Sequence, residues 1–169
     1  MTAQFTTTDL QRPPALTIDD MTRTVLAYLI GELRFVQFDD NIAYVGNTRA
    51  RTVGDEVQTR HPRAGEIRVT LDKLADTSLP VTSDDIEQQI EHFGASLAAP
   101  LASVLAARIT QDLYDSGVDD ALFVSVPLPV DEGSVVMSYK GVYLRGQLRY
   151  DIARKQSVLA FDVLYGIAA

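Results

Sequence analysis

The chain has 169 residues and a net charge of −8, with 46% apolar and 22% charged residues. That is one domain's worth of chain with an ordinary soluble composition, so disorder over most of its length is excluded. The absence of cysteine removes disulfide frameworks, thiol catalysis, zinc ribbons and iron–sulfur clusters, and the acidic balance argues against a dedicated nucleic-acid binder.

Residues 1–16 are Thr-rich, end near a Pro-Pro pair and have no helix or strand period, so they read as an N-terminal arm. Residues 17–33 read as a helix: Thr17 with Asp20 resembles a capping box, and Met21, Val25, Tyr28, Leu29 and Leu33 recur at helical spacing. Residues 34–48 break at Asp39-Asp40-Asn41 and read as irregular or extended. A β-hairpin is expected over 49–71. Val57 follows Gly54-Asp55, His61-Pro62-Arg63-Ala64-Gly65 is rich in breakers, and Ile67, Val69 and Leu71 alternate with Arg68 and Thr70.

The strongest signal runs over 83–115. Thr82 or Ser83 can cap it, and Asp84, Asp85 and Glu87 suit its first turn. Ile86, Ile90, Phe93, Leu97, Leu101, Leu105, Ile109 and Leu113 form one apolar stripe. Pro100 predicts a kink near Ala99. From 121 to 169 the pattern becomes β. Ala121–Val126 is apolar, and Pro127, Pro129 and Asp131-Glu132-Gly133 form a connection. A terminal hairpin follows, with Val142, Leu144, Leu148 and Tyr150 on one face of its first strand and Leu159, Phe161, Val163 and Tyr165 on one face of its second. The residues alone give an α+β domain.

Chemistry is weakly represented. His61 and His92 stand far apart in unlike contexts, no nucleophile elbow is present, and no catalytic residue is assigned. The pairs Asp19-Asp20, Asp39-Asp40, Asp84-Asp85 and Asp119-Asp120 fall at helix starts or turns, where aspartate caps and turns the chain, so no metal site is assigned. Gly141 and Gly146 lie in a strand pattern with no following helix, which is not a phosphate loop, and no cofactor is expected. No apolar run reaches the ~20 residues of a membrane helix. Met1 to Pro14 lacks the basic start and apolar core of a signal peptide. Twelve of the fifteen basic residues are Arg, which favours fixed, forked hydrogen bonding at interfaces.

Three stretches resemble one family. Val53-Gly54-Asp55-Glu56-Val57-Gln58-Thr59-Arg60-His61-Pro62 is similar to the strand that opens the extended hairpin of tailed-phage major capsid proteins. Leu79-Pro80-Val81-Thr82-Ser83-Asp84-Asp85, leading through Phe93 and Pro100 to Ile109-Thr110-Gln111-Asp112-Leu113, resembles their passage into a long spine helix. Gly141-Val142-Tyr143-Leu144-Arg145, through Tyr150-Asp151 to Phe161–Ala168, is similar to the closing hairpin of such coats, especially those of actinobacterial and short-tailed enterobacterial phages. Such coats insert a sizeable axial domain after the spine helix; here Ser116 to Val130 is nearly all that stands in its place.

The resemblance implies a miniature Hong Kong 97-like capsid fold over 17–169, with an arm (1–16), a short extended hairpin (49–71), a kinked spine helix (83–115) and a β-meander (121–169). It implies a structural virion protein, not an enzyme, that self-assembles as the major subunit of an icosahedral phage head around DNA. Its partners would be copies of itself and other capsid or scaffold proteins, with only non-specific contact to packaged DNA and none to a membrane. It would reside in the virion, and in the host cytoplasm during assembly. Arg49, Arg51, Arg60, Arg63, Arg68, Arg145 and Arg149 are the residues expected at subunit interfaces. A minor or vertex subunit and a decoration or connector protein are the alternatives. A small-molecule binding module or enzyme on an α+β scaffold is the reading from another class.

Overall fold

The computed structural model describes residues 16–33, 49–61, 65–87, 90–117 and 121–168. The expectations for residues 1–15 and 34–48, for Arg63 at the hairpin tip, and for the Asp39-Asp40 and Asp119-Asp120 pairs lie outside them. The fold is mixed α+β: helices laid on one face of an antiparallel sheet, with a separate two-stranded hairpin.

Helix α1 (Ile18–Glu32) begins where the sequence says it should. Thr17 Oγ1 accepts from the Asp20 N–H and Asp20 returns a bond to the Thr17 N–H, a complete capping box. Just before it, Leu16 is buried in the core, and its N–H donates to Ile86 O at 2.9 Å. Leu16, the last residue of the stretch read as an arm, is thus packed into the domain, because its side chain has apolar surface to cover.

The hairpin is formed by β1 (Glu56–His61) and β2 (Gly65–Thr70), antiparallel in unbroken register from Glu56↔Thr70 to His61↔Gly65. Gly54, at φ +96°, makes the turn into it. Strand β3 (Lys73–Val81) follows at once. The sequence reading leaves this stretch unassigned. It contains Pro80 and several polar residues, which an edge strand tolerates and a central one does not.

Three helical pieces come next: α2 (Ser83–Glu87), α3 (Ile90–Phe93) and, after a π turn over Gly94–Ala98, α4 (Ala99–Asp115). Thr82 caps α2, exchanging bonds with Asp85. The kink predicted near Ala99 is taken up just before it. The Ala99 N–H donates to Gly94 O, five residues back, and Pro100 falls in the first turn of α4, where its missing N–H costs nothing. The π turn has a second effect. Residues four apart drift by roughly 40° per step on an α-helix; the wider turn brings the Phe93, Leu101, Leu105 and Ile109 stripe back over one surface, and all four side chains are buried. The helical run Glu91–Asp115 is, by length and composition alone, long and apolar enough to cross a membrane, with an 18-residue window inside it of mean hydropathy 1.4. This corrects the reading that no stretch reaches that length. That reading counted unbroken apolar runs, and here the polar residues are few and spread along the helix.

The sheet has five strands: β3, β4 (Leu122–Val126), β5 (Ser134–Tyr139), β6 (Val142–Asp151) and β7 (Gln156–Ala168). β7 is its axis. It pairs antiparallel with β3 along Ser157–Tyr165, with β6 along Gln156–Asp162, and with β4 along Leu164–Ala168. β4 is buried throughout, so the stretch read as the remnant of an axial domain supplies a core strand. β5, which the sequence reading covers only as part of its β region of 121–169, closes on β6 through Lys140 and Gly141, both at positive φ, a two-residue hairpin turn.

Each face of this sheet covers its own core. On the helix side, α1 and α4 pack over Leu144, Leu159, Phe161, Val163 and Tyr165. α1 lies so close to β6 at Gly146 that any Cβ there would overlap Thr22 Oγ1. On the other side, Val57, Val69 and Leu71 of the hairpin pack with Leu122, Val124, Val126 and Leu164.

Candidate assembly interface

The expected function is contact between subunits, so the first question is what the expected contact residues do within the chain. Arg145, on β6, is half-buried. It grips Asp162 of β7 with its fork, Nε to Oδ1 at 3.2 Å and NH2 to Oδ2 at 2.5 Å, and donates to Pro129 O at 3.0 Å. A two-pronged pair of this kind is strong and positions groups rigidly. Arg145 therefore fastens β6 to β7 and to the incoming connection. Arg149 reaches both carboxylate oxygens of Asp131 at 2.6 and 2.7 Å, in full view of solvent. A bond from the Ser134 hydroxyl, with this Arg149 contact, holds the Asp131 carboxyl below its usual pKa. Arg60 and Arg68 lie on the outward face of the hairpin, 83% and 69% exposed, facing Glu66 and Glu56 across the strands at 4.0 Å. Exposed pairs at that distance contribute little to stability, so these two remain the most available to a neighbour. Arg51 anchors the strand entry through its backbone, N–H to Pro127 O at 2.9 Å. Arg49 makes interactions of its own within the chain.

The structure thus does not gather the six described arginines on one surface. Arg60 and Arg68 sit on the hairpin. Arg145 and Arg149 sit on the sheet face away from the helices, each engaged with an aspartate.

Two further polar anchors went unnoticed in the sequence. The phenol of Tyr165, buried on β7, donates to Asp112 Oδ2 of α4 at 2.5 Å, and Arg108 lies 3.4 Å from the same oxygen. Burial and the Asp112 carboxylate push the Tyr165 phenol far above its ordinary pKa. Ser125 Oγ, buried on β4, accepts from the Tyr143 N–H at 3.0 Å, joining β4 to β6 where β6 leaves the axis strand. The available signals were single polar residues inside apolar periods: Asp162 in Leu159–Tyr165, Ser125 in Leu122–Val126, and Asp112 one residue before Leu113.

His92 is exposed on α3, with its carbonyl accepting from Ser96 Oγ at 2.7 Å. Asp20 and Asp85 are both capping residues, as their position in the sequence predicts, and the bonds from Thr17 hold the Asp20 carboxyl below its usual pKa. Among the described residues no group of three or more His, Asp or Glu converges as a metal site would. A shallow groove of about 570 Å³ lies between the end of α1 and α4, floored by Ala106, Ala107 and Thr110 and flanked by Tyr114, which is 82% exposed.

No protein family model matches the chain, and no curated protein or solved structure does so either.

Proposed function

We propose that this chain is a structural subunit of a phage head, built on a miniature Hong Kong 97-like fold, whose work is contact with copies of itself. The observation that carries this reading is the order of parts along the chain. A two-stranded hairpin stands apart from the main sheet, one long helical run crosses it, and a sheet is closed by the C-terminal strand. The same order carries the sequence resemblance. The polar side chains are consistent with it, since the best-placed ones fasten strand to strand or strand to helix.

On this reading the hairpin's outward face, with Arg60 and Arg68, and the exposed side of α4, with Val104 and Tyr114, are the surfaces that meet neighbours. The hairpin is also less extended than the resemblance implies. Val57, Thr59 and Val69 are buried, so the inner face of β1 and β2 lies on the domain, and the outer face of these strands, with Arg60 and Arg68, is what can reach a neighbour.

The test is negative-stain microscopy and sizing of the purified protein, alone and with its companion phage proteins. Closed particles containing the chain in high copy number support a major subunit, and a low copy number beside a larger coat supports a vertex or minor subunit. A protein that stays monomeric at high concentration and enters no particle overturns the proposal.

A further inference from the structure

The two edges of the main sheet are built differently. β3, at one edge, carries Lys73, Asp76 and Pro80, the kinds of residue that discourage edge-to-edge pairing. β5, at the other, reads Ser-Val-Val-Met-Ser-Tyr, with no charge, no proline and no bulge in its register against β6. No strand among the described residues lies beyond it.

The register fixes which backbone groups of β5 are left over. The Leu148 N–H donates to Gly133 O at 3.0 Å, so Gly133 and the residues alternating with it, Val135, Met137 and Tyr139, face β6. The N–H and C=O groups of Ser134, Val136 and Ser138 then point off the edge. The Ser134 N–H is taken up by Asp131 O in the preceding turn. The Val136 and Ser138 N–H groups and all three carbonyls remain, and groups of this kind are obligatory hydrogen-bonders. What completes such an edge is another strand.

We propose that this strand is β5 of a second copy, paired antiparallel about a two-fold axis through Val136. In that register Val136 meets Val136 of the second copy, with reciprocal N–H to C=O bonds. Ser138 N–H donates to the Ser134 carbonyl of the second copy, and the reverse. The bond that Ser134 N–H already makes is not needed. Charge favours the same partner: antiparallel pairing brings the exposed turn that carries Glu132 in each chain alongside the exposed turn that carries Lys140 in the other. Met137 points into the helix-side core, so Val136 points to the opposite, open face. The result is one sheet continuous through two subunits. It requires only a pair of chains and stands apart from the shell proposal.

The chain has no cysteine, which makes cross-linking clean. Val136→Cys, oxidised in the full-length protein, is expected to give a covalent dimer on a non-reducing gel, because paired strand residues lie about 5.5 Å apart, within disulfide reach. Ser138→Cys alone is expected to stay uncross-linked, since its copies would be roughly 13 Å apart at ~3.4 Å per residue. A mixture of Ser134→Cys and Ser138→Cys chains is expected to cross-link. Val136→Pro deletes the outward N–H at an edge position that tolerates proline, and should raise the dimer dissociation constant at least tenfold by sedimentation, while Val136→Thr leaves it unchanged. Equal cross-linking of the Val136→Cys and Ser138→Cys chains, or no dimer from Val136→Cys, overturns the proposal.

Discussion

The two faces of the central sheet hold different kinds of core. The helix-side face is apolar and deep, with α1 and α4 closing over Leu159, Phe161 and Val163, and its polar element is the Tyr165–Asp112 bond that fastens helix to strand. The opposite face is covered by a small hairpin rather than by helices. Beside its apolar patch around Val124 and Leu164 it carries the Arg145–Asp162 pair. The lesson is that β7 serves both: its successive residues alternate between a thick core that decides whether the domain folds and a thinner one that decides where the hairpin lies. A face covered by a hairpin opens at less cost than one covered by two helices, and the assembly proposal uses the outer surface of both coverings, the hairpin on one side and α4 on the other.

The largest expected effect comes from the thick side. Leu101→Asp would place an unpaired charge in the helix-side core and abolish folding, read as loss of the far-ultraviolet helical signal; normal folding would displace the stripe from that core. Neighbouring truncations in β7 then separate the faces. Phe161→Ala is expected to cost about 3–5 kcal/mol and loosen the whole domain, and Leu164→Ala about 2–4 kcal/mol. Hydrogen exchange should show the second change concentrated in β1 and β2; equal loosening of the helices would dissolve the distinction between the faces.

Asp162→Ala leaves Arg145 half-buried without its partner and should cost about 2–3 kcal/mol in urea unfolding. Gly146→Ala tests how closely α1 sits on β6. A loss of about 1–3 kcal/mol is expected, shrinking in the Thr22→Ala background, because the added Cβ collides with Thr22 Oγ1.

The smallest effect is the most specific. Tyr165→Phe removes one hydrogen bond, worth about 1 kcal/mol at neutral pH. In the wild-type chain the folded phenol pKa lies above its unfolded value of 10.0, so the unfolded state loses its proton first and stability falls as pH rises past 10. The variant should lack that part of the alkaline decline. Identical wild-type and variant slopes between pH 9 and pH 11 would remove Tyr165 from the account.

What the sequence disclosed follows from how local each signal is. The boxes at Thr17/Asp20 and Thr82/Asp85 are four-residue patterns that satisfy backbone groups on the spot, and both helix starts stand where they predict. The alternation of Leu159, Phe161, Val163 and Tyr165 is likewise a direct imprint of one buried face. β3 was missed and β5 was not set apart as a strand because an edge strand is half-solvated and, in β3, admits Pro80, so the period that marks a strand is diluted. Tyr150 shows the converse. It continues the apolar alternation of β6 yet is 62% exposed, since the strand outruns the helices that cover it. The pairing of Arg145 with Asp162 was invisible because it depends on the β6–β7 register, which joins residues seventeen apart. Arg145 was therefore read as reaching outward.

Assembly is decided by cryo-electron microscopy of the purified chain together with its companion phage proteins. The prediction is closed shells in which the long helix and the hairpin's outer face lie at subunit contacts. A monodisperse monomer at the highest attainable concentration, with no density for the chain in any particle, would contradict it.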